Sequence, residues 1–225
     1  MSELESHILK SFDEELDRLR SLTMSMAYQA SRSIGNAVRG LVQGQSELCS
    51  EVIADDEVID QQEKKIDELG LAMLLKHKPV ASDLRMITST MNISRSIERV
   101  ADHAVTVAKR ARKILKANPD GLDERRLIEP FAQDAREAFD DAMLAYADND
   151  GVRALRVKNW DVKIDKSYKR VSKTLTALAS DATDRTESLL HLLFIARSVE
   201  RIGDLAVNIA EDVFFITSAD DIRHS

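Results

Sequence analysis

Ile195-Ala-Arg-Ser-Val-Glu-Arg-Ile-Gly-Asp-Leu-Ala-Val-Asn-Ile209 is the stretch on which the fold turns. It holds no proline and one glycine. Val199, Ile202, Ala206, Ile209 and Val213 recur at intervals of three and four, the spacing of one helix face. Glu200 and Asp204 are four apart, so both carboxylates leave the same side of that helix. They lie about 100–140° from Val199, at the edge of the apolar arc. Earlier the chain reads Arg95-Ser-Ile-Glu-Arg-Val-Ala-Asp-His-Ala-Val-Thr-Val-Ala108, and eight of these fourteen positions match Arg197 to Ala210. The chain is a duplication, and both copies keep the carboxylate pair.

Outward from this stretch, composition points to one class. Aromatics at 4%, seven glycines and three prolines in 225 residues favour an all-helical protein. A net charge of −7 argues against a nucleic-acid partner. The basic run Lys109-Arg-Ala-Arg-Lys113 reads as cations near a helix C-terminus, where they suit the dipole. A single cysteine, Cys49, excludes an intrachain disulfide and a cysteine zinc site, and reads as a small apolar residue. The first residues lack the basic and apolar regions of a signal peptide, and no apolar run approaches the roughly 18 residues of a membrane span. The expectation is a cytoplasmic protein that meets membranes only through partners.

Six helices are predicted. The first runs from about Leu4 to Leu41, closed by Gly40 and Gly44. The second runs from Gln45 to Lys76 and is ended by Pro79. The third starts with Ser82 as its N-cap and reaches Lys116. Asn118-Pro-Asp-Gly121 is the strongest turn signal. The order then repeats: Asp123 to Tyr146, a turn at Asn149-Asp-Gly151, Val152 to Leu178 with Leu155 and Trp160 inward, a turn at Ser180 to Asp184, a last helix to Thr217 and a short tail. The fold class is therefore all-α: two tandem antiparallel three-helix bundles, residues 1–118 and 119–225. Their longest helices are rods of roughly 45 Å.

Acid pairs four apart are common in this chain, and any one of them reads as a solvated helix face. Registry singles out four. Asp56 and Asp60 flank Ile59 on the second helix. Asp60 and Glu98 each lie 19 residues from Pro79, and Asp56 and Asp102 each lie 23. In an antiparallel hairpin, positions equidistant from the turn stand level, so these four carboxylates face one another. Asp161 and Asp165 flank Ile164 in the same way, and stand level with Asp204 and Glu200 about a turn centred between Ala182 and Thr183. Four facing carboxylates repel without a counter-charge. Either hard or borderline cations bridge them, or Arg95, Arg99, Arg197, Arg201 and Lys163 pair with them as a solvated network. The recurring registry favours metal, and the edge position predicts surface clusters.

Ferritin-like oxidase chemistry needs Glu-x-x-His pairs in a bundle core, and none occurs. Glu187 and His191 are four apart, and His191 falls on the apolar arc as a core residue. His103 points away from Asp102. His7, His77 and His224 have no evident partners, and Trp160 reads as packing. No phosphate-binding loop, dinucleotide fingerprint or nucleophile elbow is present. The expectation is a non-enzyme. A helical adaptor with acidic faces and no metal is the plainest alternative.

Glu98-Arg-Val-Ala-Asp102 and Glu200-Arg-Ile-Gly-Asp204 resemble the paired motifs of the PhoU family of phosphate-transport regulators. Pro79-Val-Ala-Ser-Asp-Leu-Arg85, Leu190 to Asp204, Ala206-Val-Asn-Ile-Ala-Glu211 and Asp221-Ile-Arg-His224 are similar to further runs of that family. The resemblance implies two three-helix bundles with approximate internal two-fold symmetry. It implies metal held by Asp56, Asp60, Glu98 and Asp102, and by Asp161, Asp165, Glu200 and Asp204. Multinuclear iron or zinc would be the ion, with Mn or Mg plausible. It implies negative regulation of phosphate uptake and phosphate-starvation signalling. The partners implied are the ATPase subunit of an ABC phosphate importer and a sensor histidine kinase, and the assembly a homodimer. An accessory role for another phosphate transporter is the neighbouring alternative.

Two departures separate the copies. Ala101 stands where the second motif has Gly203. Glu63 and Asp67 extend the first acidic column, where the second copy has Tyr168 and Ser172. The first site is therefore expected to hold more metal, or to hold it more tightly.

Overall fold

The computed structural model describes residues 3–118, 121–181 and 184–219. Among these, all regular structure is helical: α1 Glu3–Gln43, α2 Ser46–Ala54, α3 Asp56–His77, α4 Ala81–Ala117, a 3-10 turn Asp123–Leu127, α5 Glu129–Asp148, α6 Gly151–Asp181 and α7 Thr186–Ser218. Helices α1, α2, α3 and α4 pack on one another, and so do α5, α6 and α7. The two groups join through α4 against α7 and α1 against α5, the equivalent helices of each copy.

The predicted stripes explain most of this. Leu19, Met26, Ala30, Ala37 and Leu41 on α1 are fully buried, as are Ile87, Ile93, Ile97 and Val100 on α4. Helix α4 buries residues on most of its circumference, among them Ala101, Ala104, Ala108 and Ala111. Helix α7 does the same with Ala196, Gly203, Ala206 and Ala210. Such small residues let two central helices approach closely. Polar ties cross the joint. Arg110 donates to His191 Nδ1 at 3.2 Å, Asn118 Nδ2 to Ser188 Oγ at 2.7 Å, and the Thr90 and Tyr146 hydroxyls meet at 2.9 Å. As α4 numbers rise their α7 partners fall, so the two helices run antiparallel. The buried side chains of both groups form one continuous core.

Four local expectations are corrected. The second helix is broken at Asp55, which closes α2 by donating its N–H to Glu51 O at 2.9 Å. Val80, without a side-chain cap, precedes α4 in place of Ser82. The fourth helix begins at Glu129, because Asp123–Leu127 winds as a 3-10 turn. On α6, Ala154 and Val157 face inward while Leu155 is 42% exposed; Trp160 is half-buried against the core. Other expectations stand. Lys78 ends α3 in the left-handed region just before Pro79, Gly44 follows α1 at φ +75, and Asn149 caps α5 in the left-handed region. Pro119, Asp120, the Ala182–Thr183 turn centre, Asp221-Ile-Arg-His224 and the side chain of His7 lie outside the described residues.

Candidate functional site

The hairpins bring each predicted carboxylate set together. In the first, Asp56 is the first residue of α3, set by the break at Asp55, and Asp60 follows one turn later. Ile59 between them is buried and turns both acids toward α4. Burial first, then Asp60 and Asp102, pushes the Asp56 carboxyl up, against the pull of Lys109. Glu98 is pushed up to about 7, by burial first and then by Asp102, Glu63, Asp60 and Asp56. Five carboxylates are thus within mutual reach, Glu63 being the fifth. Asp102 is exposed and the other four are half-buried, at the bundle surface as expected. Among the described residues none of the five has an ion-pair partner. Arg95 turns instead to Asp67, at 3.2 Å.

The second cluster repeats the backbone plan with different charge. Asp161 is pushed up by burial first, then by Asp165 and Asp204, while Lys158 opposes. Glu200 is pushed up by burial first, then by Asp204, and is drawn back by Arg197 and Arg201. Arg197 donates to Glu200 Oε1 at 2.8 Å and Arg201 to Asp204 Oδ2 at 3.0 Å. Lys169 stands 3.5 Å from Asp165. Asp165 and Asp204 are half-buried and Asp161 is exposed, but Glu200 is only 8% exposed, deeper than the edge position predicted. Its Oε2 is buried without a hydrogen-bond partner; Arg201 Nε at 3.7 Å is too distant.

The difference in charge follows from two positions. Where the first copy has Asp67 the second has Ser172, so Arg197 has no carboxylate at the matching place on α6 to meet. Where the first copy has Glu63 the second has Tyr168, and Arg197 lies 5.7 Å over its ring. Arg197 is thereby aimed at Glu200. Backbone approach differs too. A Cβ on Gly203 would stand 2.8 and 3.0 Å from Ile164 side-chain carbons, so α6 seats Ile164 directly on the α7 backbone between its two aspartates. Ala101 fills the corresponding place on α4 and is buried.

The donors are carboxylate oxygens throughout, the set that suits hard cations. The orphaned oxygen of Glu200 and the unneutralised first cluster fit a bound cation. As the side chains stand, no three acid, histidine or cysteine groups converge closely enough to hold an ion among the described residues. Chelation requires the carboxylates to rotate, and in the second cluster requires Arg201 to withdraw.

The remaining candidates fall outside these clusters. Lys163 pairs with Asp134 at 2.8 Å and lies 4.6 Å over Trp160. His191 is half-buried and bonded by Arg110. Its imidazole is held below its ordinary pKa by burial first, then by Arg110 and Lys113. His77 has a partner that sequence reading missed, Glu15 at 3.1 Å. Cys49 is buried, its thiol pushed up to about 11 by burial. Also missed is a cleft of about 480 Å³ between α1 and α5, with Tyr28, Arg32, Arg39, Arg136 and Asp140 in its wall. The one sequence signal for it is Gly35, across which Arg136 passes. No described helix is long and apolar enough to cross a membrane.

Comparison with known proteins follows this geometry closely. The model of the PhoU domain family matches residues 23–111 and again 128–213, one match per acidic cluster. A Pseudomonas putida protein named phosphate-specific transport system accessory protein PhoU homolog is 34% identical, over 98% of this chain and 86% of its own length. The Escherichia coli K12 accessory protein PhoU is 28% identical, over 98% and 91%. The crystal structure of PhoU from Pseudomonas aeruginosa superposes with a TM-score of 0.89 at 30% identity, covering 93% of this chain and all of that one. The phosphate transport system regulatory protein PhoU from Streptococcus pneumoniae, at 24% identity, shares the fold with a TM-score of 0.85 over 94% and 99%. These relatives are named as accessory or regulatory proteins, not for a reaction.

Proposed function

The chain belongs to the PhoU family, and from that premise we propose that it is a metal-binding negative regulator of phosphate uptake and phosphate-starvation signalling. It links the ATPase subunit of an ABC phosphate importer to a sensor histidine kinase, in the cytoplasm and as a homodimer. Its two repeats are residues 1–118 and 119–225. The observation that carries the reading is the paired family match, extending over both hairpins and all eight predicted ligands, to relatives named for the phosphate-specific transport system.

Asp56, Asp60, Glu98 and Asp102 hold metal in the first repeat, with Glu63 beside them. Asp161, Asp165, Glu200 and Asp204 hold it in the second. Iron or zinc is the leading identity, with Mn or Mg as harder alternatives for an all-oxygen set. A bound cation supplies the positive charge that lets level carboxylates approach, fixing α3 to α4 and α6 to α7. The residues themselves do the rest: Ile59 and Ile164 anchor each acidic pair, and Gly203 sets the height of α6 on α7.

The test is a pull-down with the importer ATPase and the sensor kinase, each with and without metal. Capture of both, altered by metal, is the expected result. Failure to bind either under both conditions overturns the regulatory assignment. A second reading, a metal-free helical adaptor, has one observation in its favour: Arg197 and Arg201 already pair with Glu200 and Asp204 of the second cluster. Elemental analysis of protein purified without chelator separates the two.

A further inference from the structure

The acidic clusters leave unused the basic run Lys109-Arg-Ala-Arg-Lys113. The structure divides it. Arg110 is engaged: its guanidinium lies 4.1 Å over the Phe194 ring and donates to His191. Lys109, Arg112 and Lys113 fall on another face, joined one turn later by Lys116, at the helical spacing of near neighbours. All four are exposed, and none forms an ion pair or hydrogen bond among the described residues. Like charges so spaced repel one another along the helix face. The α4 dipole compensates Lys116 in the last turn but fades before Lys109. Lys109 lies within electrostatic reach of Asp56, and no carboxylate forms an ion pair with any of the four among the described residues.

The four cations line a cleft of about 750 Å³ whose other wall is Gly44 and Ser46 at the start of α2 and Ile53 near its end. Gln45 at the N-cap of α2 makes no side-chain cap bond, and the first turn carries one carboxylate, Glu47. Arg125 adds a fifth cation at the rim: its nearest nitrogen stands 3.8 Å from where a Gly44 side chain would begin. From Lys109 to Lys116 the stripe extends about 10 Å at 1.5 Å per residue, longer than one phosphate group needs.

We propose that this cleft binds a soluble anion of two or more linked phosphates, with Lys109, Arg112, Lys113 and Lys116 as its cationic wall and the backbone at the start of α2 across from them. Arg112 offers a planar fork for two oxygens of one phosphate, and the lysines supply point charges along the chain. Only Lys109 reaches the first acidic cluster, through Asp56; Arg112, Lys113 and Lys116 carry the proposal independently of the metal reading.

The test is titration calorimetry of the full chain with tripolyphosphate, pyrophosphate and inorganic phosphate. Chelator treatment followed by dialysis comes first, because polyphosphates bind metals and a loaded acidic cluster would imitate the site. Tripolyphosphate is expected to bind tightest, with affinity falling as salt rises. Arg112→Gln with Lys116→Gln is expected to weaken it at least about tenfold, and Lys116→Gln alone by less in the same direction. Lys166→Gln with Lys173→Gln, exposed on α6, is the charge control and leaves affinity unchanged. No heat from tripolyphosphate, an equal loss in the control, or binding only to anionic phospholipid vesicles and not to the free anion would each overturn the proposal.

Discussion

The two acidic clusters share a backbone plan and differ in charge. The first gathers Asp56, Asp60, Glu63, Glu98 and Asp102 with no ion-paired cation among the described residues, while the second sets Arg197, Arg201 and Lys169 against four carboxylates. One duplication has therefore produced a cluster under strain from its own repulsion and a cluster whose charge three cations largely offset. The lesson is that registry fixes which acids meet, and one or two flanking residues decide what they are ready to bind. Glu63 against Tyr168, and Asp67 against Ser172, redirect an arginine and so change the net charge of a site without touching a ligand.

The strongest way to break this comparison is to count metal. Asp60→Asn with Asp102→Asn is expected to remove most of the bound metal, and Asp165→Asn with Asp204→Asn a minor part, because affinity for hard cations rises with ligand charge. Elemental analysis decides it, and equal losses would mean that the arginines do not tune the second site.

Next in size is the backbone difference. Gly203→Ala drives a methyl into Ile164 and is expected to cost about 1–3 kcal/mol in urea unfolding, with Ile164→Val in the same chain restoring part of the loss. An unchanged midpoint would show that α6 can lift off α7 freely, and that the closer approach in the second repeat has no structural weight.

Smaller still is the removal of the arginines. Arg197→Gln with Arg201→Gln converts the second cluster toward the first. Both side chains are half exposed, so the expected loss of metal-free stability is at most about 1 kcal/mol per pair, accompanied by more metal bound at the second site. A fall in metal content would reverse the comparison.

The mildest test is pH. Glu98 titrates at about 7 in the fold against an ordinary 4.5, so between those values the folded chain keeps a proton that the unfolded chain has lost. Metal-free stability is therefore highest at the acidic end of this interval and declines as pH rises through 7. Thermal melts in chelator between pH 5 and 8 should show the decline, and Glu98→Gln should flatten it. A profile that rises with pH would place Glu98 beside a cation.

Much of this was legible in the sequence, for physical reasons that also mark where reading stopped. Helix periodicity named the buried faces of α1, α4 and α7, because a stripe records what one helix hides. Equal distances from Pro79 placed Asp56 and Asp60 opposite Asp102 and Glu98, because a tight antiparallel hairpin leaves no freedom of register. The break at Asp55 was not legible: neither proline nor glycine marks it, only the acidic run Asp55-Asp56-Glu57. Leu155 was misplaced because Ala154 and Val157 carry the inward face instead. The cleft between α1 and α5 escaped because it belongs to the joint between repeats, which no single helix pattern records. The aim of Arg95 and Arg197 escaped because it depends on side chains one helix away.

The single core has a thermodynamic consequence for the clusters it carries. Helices α4 and α7 are packed as one body, and His103 beside the first cluster lies within electrostatic reach of Arg201 in the second. An ion held only by the folded chain at either cluster stabilises the fold by RT ln(1 + [L]/Kd), about 2.7 kcal/mol at a hundredfold excess over Kd. Whatever factor loading one cluster applies to the affinity of the other, the second must apply to the first. Were both clusters to hold ions, the shared core would be the route by which occupancy of one could be read at the other.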